Sequence, residues 1–375
     1  MTIYRFFLLV FVFLVPQVHA QSLSTDIDNI FSAIDPNNSP GCSVGLIEDG
    51  RFIHKKGYGL ANLELNVPLD GKQVHRMASV SKQFTALAVL LLAEEGKIDL
   101  DNDIRSYLTD LREYSGTVTI RSMLGHYSGM GDYDLIAGPY EGDKSNDRIE
   151  LKSAAGGEFR LGNEDYLTID EFYNVVKNVP LRHSPNQKFE YSNLAYFLLS
   201  MLVEEVSGKS LRMYAQEKIF EPLDMTNTFF SDDPVEIVKN RASGYTKDKS
   251  GRYVNDMTNL FWVGDGGLHT NLDDLRKWDS NFYHPKVGIE PNELMTLINQ
   301  PNSLHKAGDS LYANGQFIQQ KDGVTSFSHS GGWLGTSTFY ARYPQHKFAV
   351  ALMCNDTSLD VSDLVRKTVD AYFKR

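Results

Sequence analysis

Between Gln83 and Ala93 the chain carries no charged residue. This stretch lies within a helical run from Val80 to Glu95 that Gly96 ends. A helix without a polar face is buried on most of its sides, so the rest of the chain has to supply a shell around it.

The shell is legible at both ends of the sequence. Cys42–Glu48 and Arg51–Gly59 read as strands joined by the hairpin turn Asp49-Gly50. Near the C-terminus, Gly315–Gln320, Thr325–Ser330, Thr336–Tyr343 and Phe348–Cys354 read as strands, the first two joined at Lys321-Asp322-Gly323. Helical segments fill the middle. Thr168-Ile169-Asp170-Glu171 is a capping box opening a helix to about Lys177. Asn193–Val206 closes at Gly208, and Ser210–Phe220 stops before Pro222. A last helix, Val361–Phe373, sets Val361, Leu364, Val365, Thr368 and Tyr372 on one stripe. The expectation is an α+β fold: an antiparallel sheet built from N- and C-terminal strands and flanked by helices, with a mostly helical inserted lobe. Leu135–Asp165, rich in Gly and charge with no clear period, reads as a long insertion that is either a surface loop or functional.

The first twenty residues stand apart. Arg5 precedes the apolar run Phe6–Val15, Pro16 breaks it, and Val18-His19-Ala20 offers small residues for cleavage. This is the pattern of a secretory signal peptide, too short for a spanning helix of about 20 residues. The expectation is an exported protein, periplasmic or secreted, starting near Gln21 as a single two-lobed domain of residues 21–375, with no stable membrane anchor. A net charge of −11 argues against nucleic acid as partner and leaves a small molecule or a peptide. Two cysteines, Cys42 and Cys354, rule out a disulfide scaffold. They read first as two buried small side chains, although an oxidising compartment allows one bridge.

Three short patterns carry chemistry. In Ser79-Val80-Ser81-Lys82, a helical step of three places Lys82 on the face of Ser79. Serine needs a partner to take its proton, and a lysine in an apolar shell has its pKa lowered. Ser303-Leu304-His305-Lys306 repeats the spacing in a polar stretch, without a buried helix. In Tyr191-Ser192-Asn193, a phenol near a lysine cation is expected to lose its proton more readily, and Asn193 can bind both the lysine and a substrate carbonyl. Tyr253-Val254-Asn255 and Tyr312-Ala313-Asn314 match the same pattern. In His329-Ser330-Gly331-Gly332, expected to end a strand, successive glycines let a substrate lie against the backbone. His329 would donate there to a substrate oxyanion or carboxylate. Lys249-Ser250-Gly251 is a rival cationic triplet, but its hydrophilic surroundings read as a hairpin tip.

The order of these patterns resembles the serine β-lactamase and penicillin-binding-protein family, in the branch of class C β-lactamases, D-Ala-D-Ala carboxypeptidases, D-aminopeptidases and related esterases. Met77–Thr85, Leu124-Gly125-His126-Tyr127-Ser128-Gly129, Ile219–Met225 and Gly266-Gly267-Leu268 strengthen the likeness from about Asp26 onward. The resemblance implies a serine acyl hydrolase acting on an amide, peptide, β-lactam or ester bond, with Ser79 as the acylated residue. Lys82 and Tyr191 would share the proton relay, and Asn193 would align ligand and lysine. The N–H groups of Ser79 and Gly332 would form the oxyanion hole, with Ser330 and Gly331 beside them. No metal and no cofactor are implied. His329 stands where β-lactamases of this branch carry lysine, which weakens the case for a dedicated β-lactamase. An α/β-hydrolase esterase would need a Gly-x-Ser-x-Gly elbow, and the chain has none. The remaining rivals are a dedicated carboxylesterase and a binding protein that has kept the fold and lost the chemistry.

Overall fold

The computed structural model describes residues 17–136, 167–258, 261, 263–302 and 305–375. The expected cleavage point falls inside helix α1 (Gln17–Ile30). Ser303, and the insertion beyond Leu135 and Ile136, lie outside the described residues.

One seven-stranded antiparallel sheet organises the chain. Its strands are β1 (Cys42–Glu48), β2 (Arg51–Tyr58), β3 (Leu311–Ala313), β4 (Gln316–Lys321), β5 (Val324–Trp333), β6 (Thr336–Tyr343) and β7 (Phe348–Cys354), in the spatial order β3-β4-β5-β6-β7-β1-β2. The β1–β2 turn uses Asp49 at φ 46° and Gly50 at φ 73°, the two positive values that a two-residue hairpin loop with the twist of its strands requires. β1 pairs with β7 from Cys42↔Cys354 to Glu48↔Phe348, so the two ends of the chain meet inside the sheet. Both strands are buried along almost their whole length, which is why they read as apolar runs and not as alternations. On one face Val44, Leu46 and Leu352 pack with Leu23 and Ile27 of α1 and with Val365 and Tyr372 of α9 (Val361–Phe373). On the other, Ile47, Ala349 and Met353 join the larger core around α2 (Lys82–Glu94).

Every residue of α2 from Lys82 to Leu92 is buried, as its lack of charge requires. Around it stand α3 (Ile120–Leu124), α4 (Ile169–Val176), α5 (Asn193–Ser207), α6 (Leu211–Ala215), α7 (Leu272–Asn281) and α8 (Pro291–Ile298). Trp278 of α7 packs on Phe84 with ring centroids 4.2 Å apart and donates its indole N–H to Gln83 Oε1 at 2.7 Å. The Thr168 capping box forms with both reciprocal bonds. Gly208, at φ 70°, ends α5 as a left-handed cap.

Four local expectations are corrected. Ser79 does not open the α-helix itself; it lies in a 3₁₀ turn, Ala78–Ser81, that leads into α2. The segment Ser210–Phe220 is α-helical only to Ala215 and continues as a wider π turn, Gln216–Phe220. His329 does not end its strand, because β5 runs on to Trp333 and keeps its ladder with β6. Cys42 and Cys354 are not two separate thiols: they are joined by a disulfide across the β1–β7 ladder. Lys249 sits in the exposed tip between strands Tyr245–Lys247 and Tyr253–Asn255, as its surroundings implied.

Candidate active site

The 3₁₀ turn is pinned on three sides. Met77 N–H donates to Leu268 O at 2.8 Å, and Leu268 N–H donates to Ser81 Oγ at 3.0 Å. Thr338 Oγ1 of β6 donates to Met77 O at 2.8 Å. Ala78, just before Ser79, is held at φ 45°, a left-handed conformation that costs a residue with a Cβ about 1–3 kcal/mol and persists only where the surroundings impose it. Ser79 is left partly exposed on a turn whose neighbours Ala78, Val80 and Ser81 are buried.

Lys82 is fully buried, and its Nζ lies 3.2 Å from Ser79 Oγ, 2.7 Å from Asn193 Oδ1 and 2.7 Å from the Asp265 carbonyl oxygen. Burial lowers its pKa to about 8, against the pull of Asp265 and Asp132. The partners decide what the neutral amine does. Asn193 Oδ1 and the Asp265 carbonyl can only accept, so they take the two remaining N–H groups. The lone pair is then left facing the Ser79 hydroxyl.

Asn193 is itself held. Its Nδ2 donates to Asp132 Oδ2 at 3.1 Å and its backbone N–H to Asp132 Oδ1 at 3.2 Å, which turns its carbonyl oxygen toward Lys82 and leaves one amide hydrogen for a ligand. Asp132 is largely buried, and burial raises its carboxyl pKa. Asp265 Oδ2 accepts from the Tyr133 hydroxyl at 2.6 Å, tying down the segment whose carbonyl holds Lys82.

Tyr191 reaches the same spot from two residues before α5, with its ring 4.8 Å from Lys82 Nζ. Its buried hydroxyl interacts with Ser79 but completes no hydrogen bond of normal geometry. The expected easier deprotonation is corrected: burial raises the phenol pKa well above its ordinary value, because a phenolate would have to be formed out of water.

His329 is placed differently from the expectation of a donor to substrate. It is 3% exposed; Nδ1 lies 2.6 Å from Ser330 O and Nε2 lies 3.1 Å from Tyr312 Oη. A carbonyl oxygen only accepts, so Nδ1 carries the proton and Nε2 accepts from the Tyr312 hydroxyl. Burial, aided by Lys82, pushes its pKa down to about 3. His329 is therefore a neutral ring with both nitrogens occupied by the protein.

The strand that carries it has an open edge. β4 pairs with β5 only as far as Phe317↔Ser328, while β5 pairs with β6 through Trp333↔Thr336. From His329 to Trp333 no strand among the described residues covers the second edge. His329 and Gly331 are buried, and Ser330 and Gly332 are exposed. A Cβ on Gly331 would lie 2.3 Å from both Met77 O and Thr338 Oγ1, whereas one on Gly332 would meet nothing within 4 Å. Gly331 thus lets the strand touch the 3₁₀ turn that carries Ser79, and Gly332 faces open space.

Ser79, Lys82, Tyr191, Asn193 and the segment His329–Gly332 are brought together from three separated stretches of the chain. The sequence reading missed Asp132, Asp265 and Tyr312 as members of the site. Tyr312 had been met only as a stray match to the Tyr-x-Asn pattern, and no short motif marks the two aspartates.

The sequence profile of the Beta-lactamase family matches residues 27–373. The chain is 27% identical to the human mitochondrial serine beta-lactamase-like protein LACTB, over 93% of this chain and 79% of that protein. Its structure is similar to that of the octameric penicillin-binding protein homologue from Pyrococcus abyssi, with a TM-score of 0.77 and 26% identity over 95% of this chain and 77% of the other. It shares its fold with EstCE1, a hydrolase with promiscuous acyltransferase activity, at a TM-score of 0.76 and 22% identity, over 95% of this chain and 99% of that one.

Proposed function

The chain belongs to the Beta-lactamase family, and on that premise we propose that it is an exported serine acyl hydrolase that cleaves neutral esters or amides through an acyl-enzyme on Ser79. The observation that carries the reading is the position of Lys82 Nζ, 3.2 Å from Ser79 Oγ with two pure acceptors at 2.7 Å, an arrangement in which the neutral amine turns its lone pair to Ser79. A base needs this geometry before its pKa matters, and a pKa of about 8 then suits work near neutrality.

Substrate lies along the open edge of β5 with its carbonyl oxygen toward the N–H groups of Ser79 and Gly332, which stabilise the developing oxyanion. Ser79 Oγ attacks the carbonyl carbon while its proton passes to Lys82 Nζ. Collapse expels the leaving group, which takes that proton by way of the Tyr191 hydroxyl. Water then attacks the ester of Ser79 and gives its proton to the same relay, which returns it to Ser79 Oγ as the C–O bond breaks and the acid leaves.

The preference for neutral substrates rests on His329. A lysine there would offer a carboxylate a full charge, while the neutral ring of His329 already has partners for both nitrogens. β-Lactams and carboxylate-ended peptides should be poorer substrates than short aryl esters or amides. The apolar Phe6–Val15 leader supports export. Among the described residues no helix is long and apolar enough to cross a membrane.

The test is covalent. A fluorophosphonate probe should label the protein at Ser79, and Ser79→Ala should abolish labelling. Labelling that survives Ser79→Ala would sink the assignment, and no labelling of the wild-type chain would favour a binding protein on this fold.

A further inference from the structure

We propose that His126 is a positioning residue that acts through Tyr191, holding the phenol against Ser79; the inference rests on the hydrolase reading above.

His126 follows the end of α3, and its φ of 58° is left-handed. Tyr127 N–H donates to Ser122 O at 2.9 Å and His126 N–H to Met123 O at 3.3 Å. These two bonds make the helix-ending motif whose left-handed position usually holds glycine or asparagine. A histidine there is strained, so its side chain is the feature to explain.

That side chain and its own backbone bracket Tyr191. His126 O accepts from Glu190 N–H at 2.7 Å, and His126 Nδ1 accepts from Ser192 N–H at 3.1 Å. One residue thus fixes the peptide that follows Tyr191 and the peptide that precedes Glu190. The imidazole also packs on the Tyr191 ring at 4.2 Å, and on Tyr312 and Tyr196 at 4.6 and 5.0 Å. Because Nδ1 accepts a backbone N–H, the proton sits on Nε2, which is buried without a hydrogen-bond partner among these rings. Among the described residues, the one hydrogen bond of the ring is spent on the residue after Tyr191. A ring needed only to fill space would not require that acceptor.

Asparagine tolerates the left-handed backbone and places a carbonyl oxygen close to the position of Nδ1, whereas phenylalanine keeps a ring and loses the acceptor. The experiment measures the second-order rate of fluorophosphonate labelling at Ser79 from pH 6 to 9 in wild type, His126→Asn and His126→Phe, each also in a Tyr191→Phe background. His126→Phe should label more than tenfold slower, and His126→Asn should recover at least fivefold over it. With Tyr191→Phe already present, His126→Phe should cost less than twofold more, because a residue acting through Tyr191 has nothing left to position. Full additivity of the two substitutions, or a His126→Phe chain that labels at the wild-type rate, overturns the proposal. If His126→Phe does not fold, nitrogen NMR of the histidine rings in the wild-type protein decides: a His126 ring protonated on Nε2 from pH 5.5 to 8.5 supports the clamp, and one protonated on Nδ1 overturns it. Absence of labelling in wild type would instead count against the hydrolase reading and leave the ring assignment measurable.

Discussion

Lys82 has three hydrogens when charged and three acceptors to receive them, so the protonated form is satisfied in place and the amine is not forced to move when it ionises. What limits it is the fraction that is neutral. Burial brings the pKa down from 10.5 to about 8, so the base form is a minority at pH 7 and rises about tenfold per pH unit until the pKa is passed. The rate of labelling or acylation should therefore climb from pH 6 and level off above about pH 8, with an apparent pKa that reports Lys82, because burial holds the Tyr191 phenol well above this range. Lys82→Ala should remove this limb and cost well over about tenfold. A flat profile from pH 6 to 9 would show that the lysine is not the base. Ser79 and the three residues around it were legible because each pair lies within a few positions of the other: Ser79 with Lys82, and Tyr191 with Asn193. The state of His329 was not. It depends on Tyr312, which the sheet brings beside it from another strand, and no local pattern records which ring nitrogen that hydroxyl occupies.

At the level of elements, the site depends on β5 touching the 3₁₀ turn through a glycine. The two adjacent glycines should separate cleanly. Gly331→Ala puts a methyl group 2.3 Å from the Met77 carbonyl and from Thr338 Oγ1. Both are fixed, so the strand has to back away; overpacking of this kind costs about 1–3 kcal/mol and would pull the oxyanion donor off the substrate. Gly332→Ala meets no atom within 4 Å and should melt like wild type while lowering kcat/KM, since its methyl group faces the open edge. Thermal melts with kinetics on one aryl ester check both, and equal melting temperatures for the two variants would contradict the close approach at Gly331. Much of this level could be read in advance: the Asp49-Gly50 hairpin, the Thr168 capping box and the last helix follow local rules. The extent of β5 could not, because Gly331-Gly332 reads as a strand ending, and only the ladder to Ser337 and Thr338 carries the strand through it.

Across the whole molecule, the strands next to the two ends of the chain lie side by side inside the sheet, and the helical lobe with Ser79 is threaded between them. The Cys42–Cys354 bridge fastens that join across a sequence separation of 312 residues. Its formation was not readable from two cysteines in apolar segments, since it depends on the register of strands at opposite ends of the chain. Closing so long a loop restricts the unfolded chain, and such bridges typically contribute roughly 2–4 kcal/mol. The paired variant Cys42→Ala/Cys354→Ala should lose stability of that order in denaturant titration. Its rate of Ser79 labelling at 25 °C should stay near wild type. The bridge lies in the β1–β7 ladder, and β6 with its own seven-residue ladder to β7 separates it from the open edge of β5. Both sulfurs are buried, so a thiol reagent should find no cysteine in the native protein and a reductant should act only once the chain unfolds. Free thiols titrating in the folded protein, after oxidative export, would overturn the bridge. A folded bridge-free variant that had lost labelling would instead mean that the line of register Cys354–Ser337–Gly332 carries strain from the join of the chain ends to the oxyanion strand.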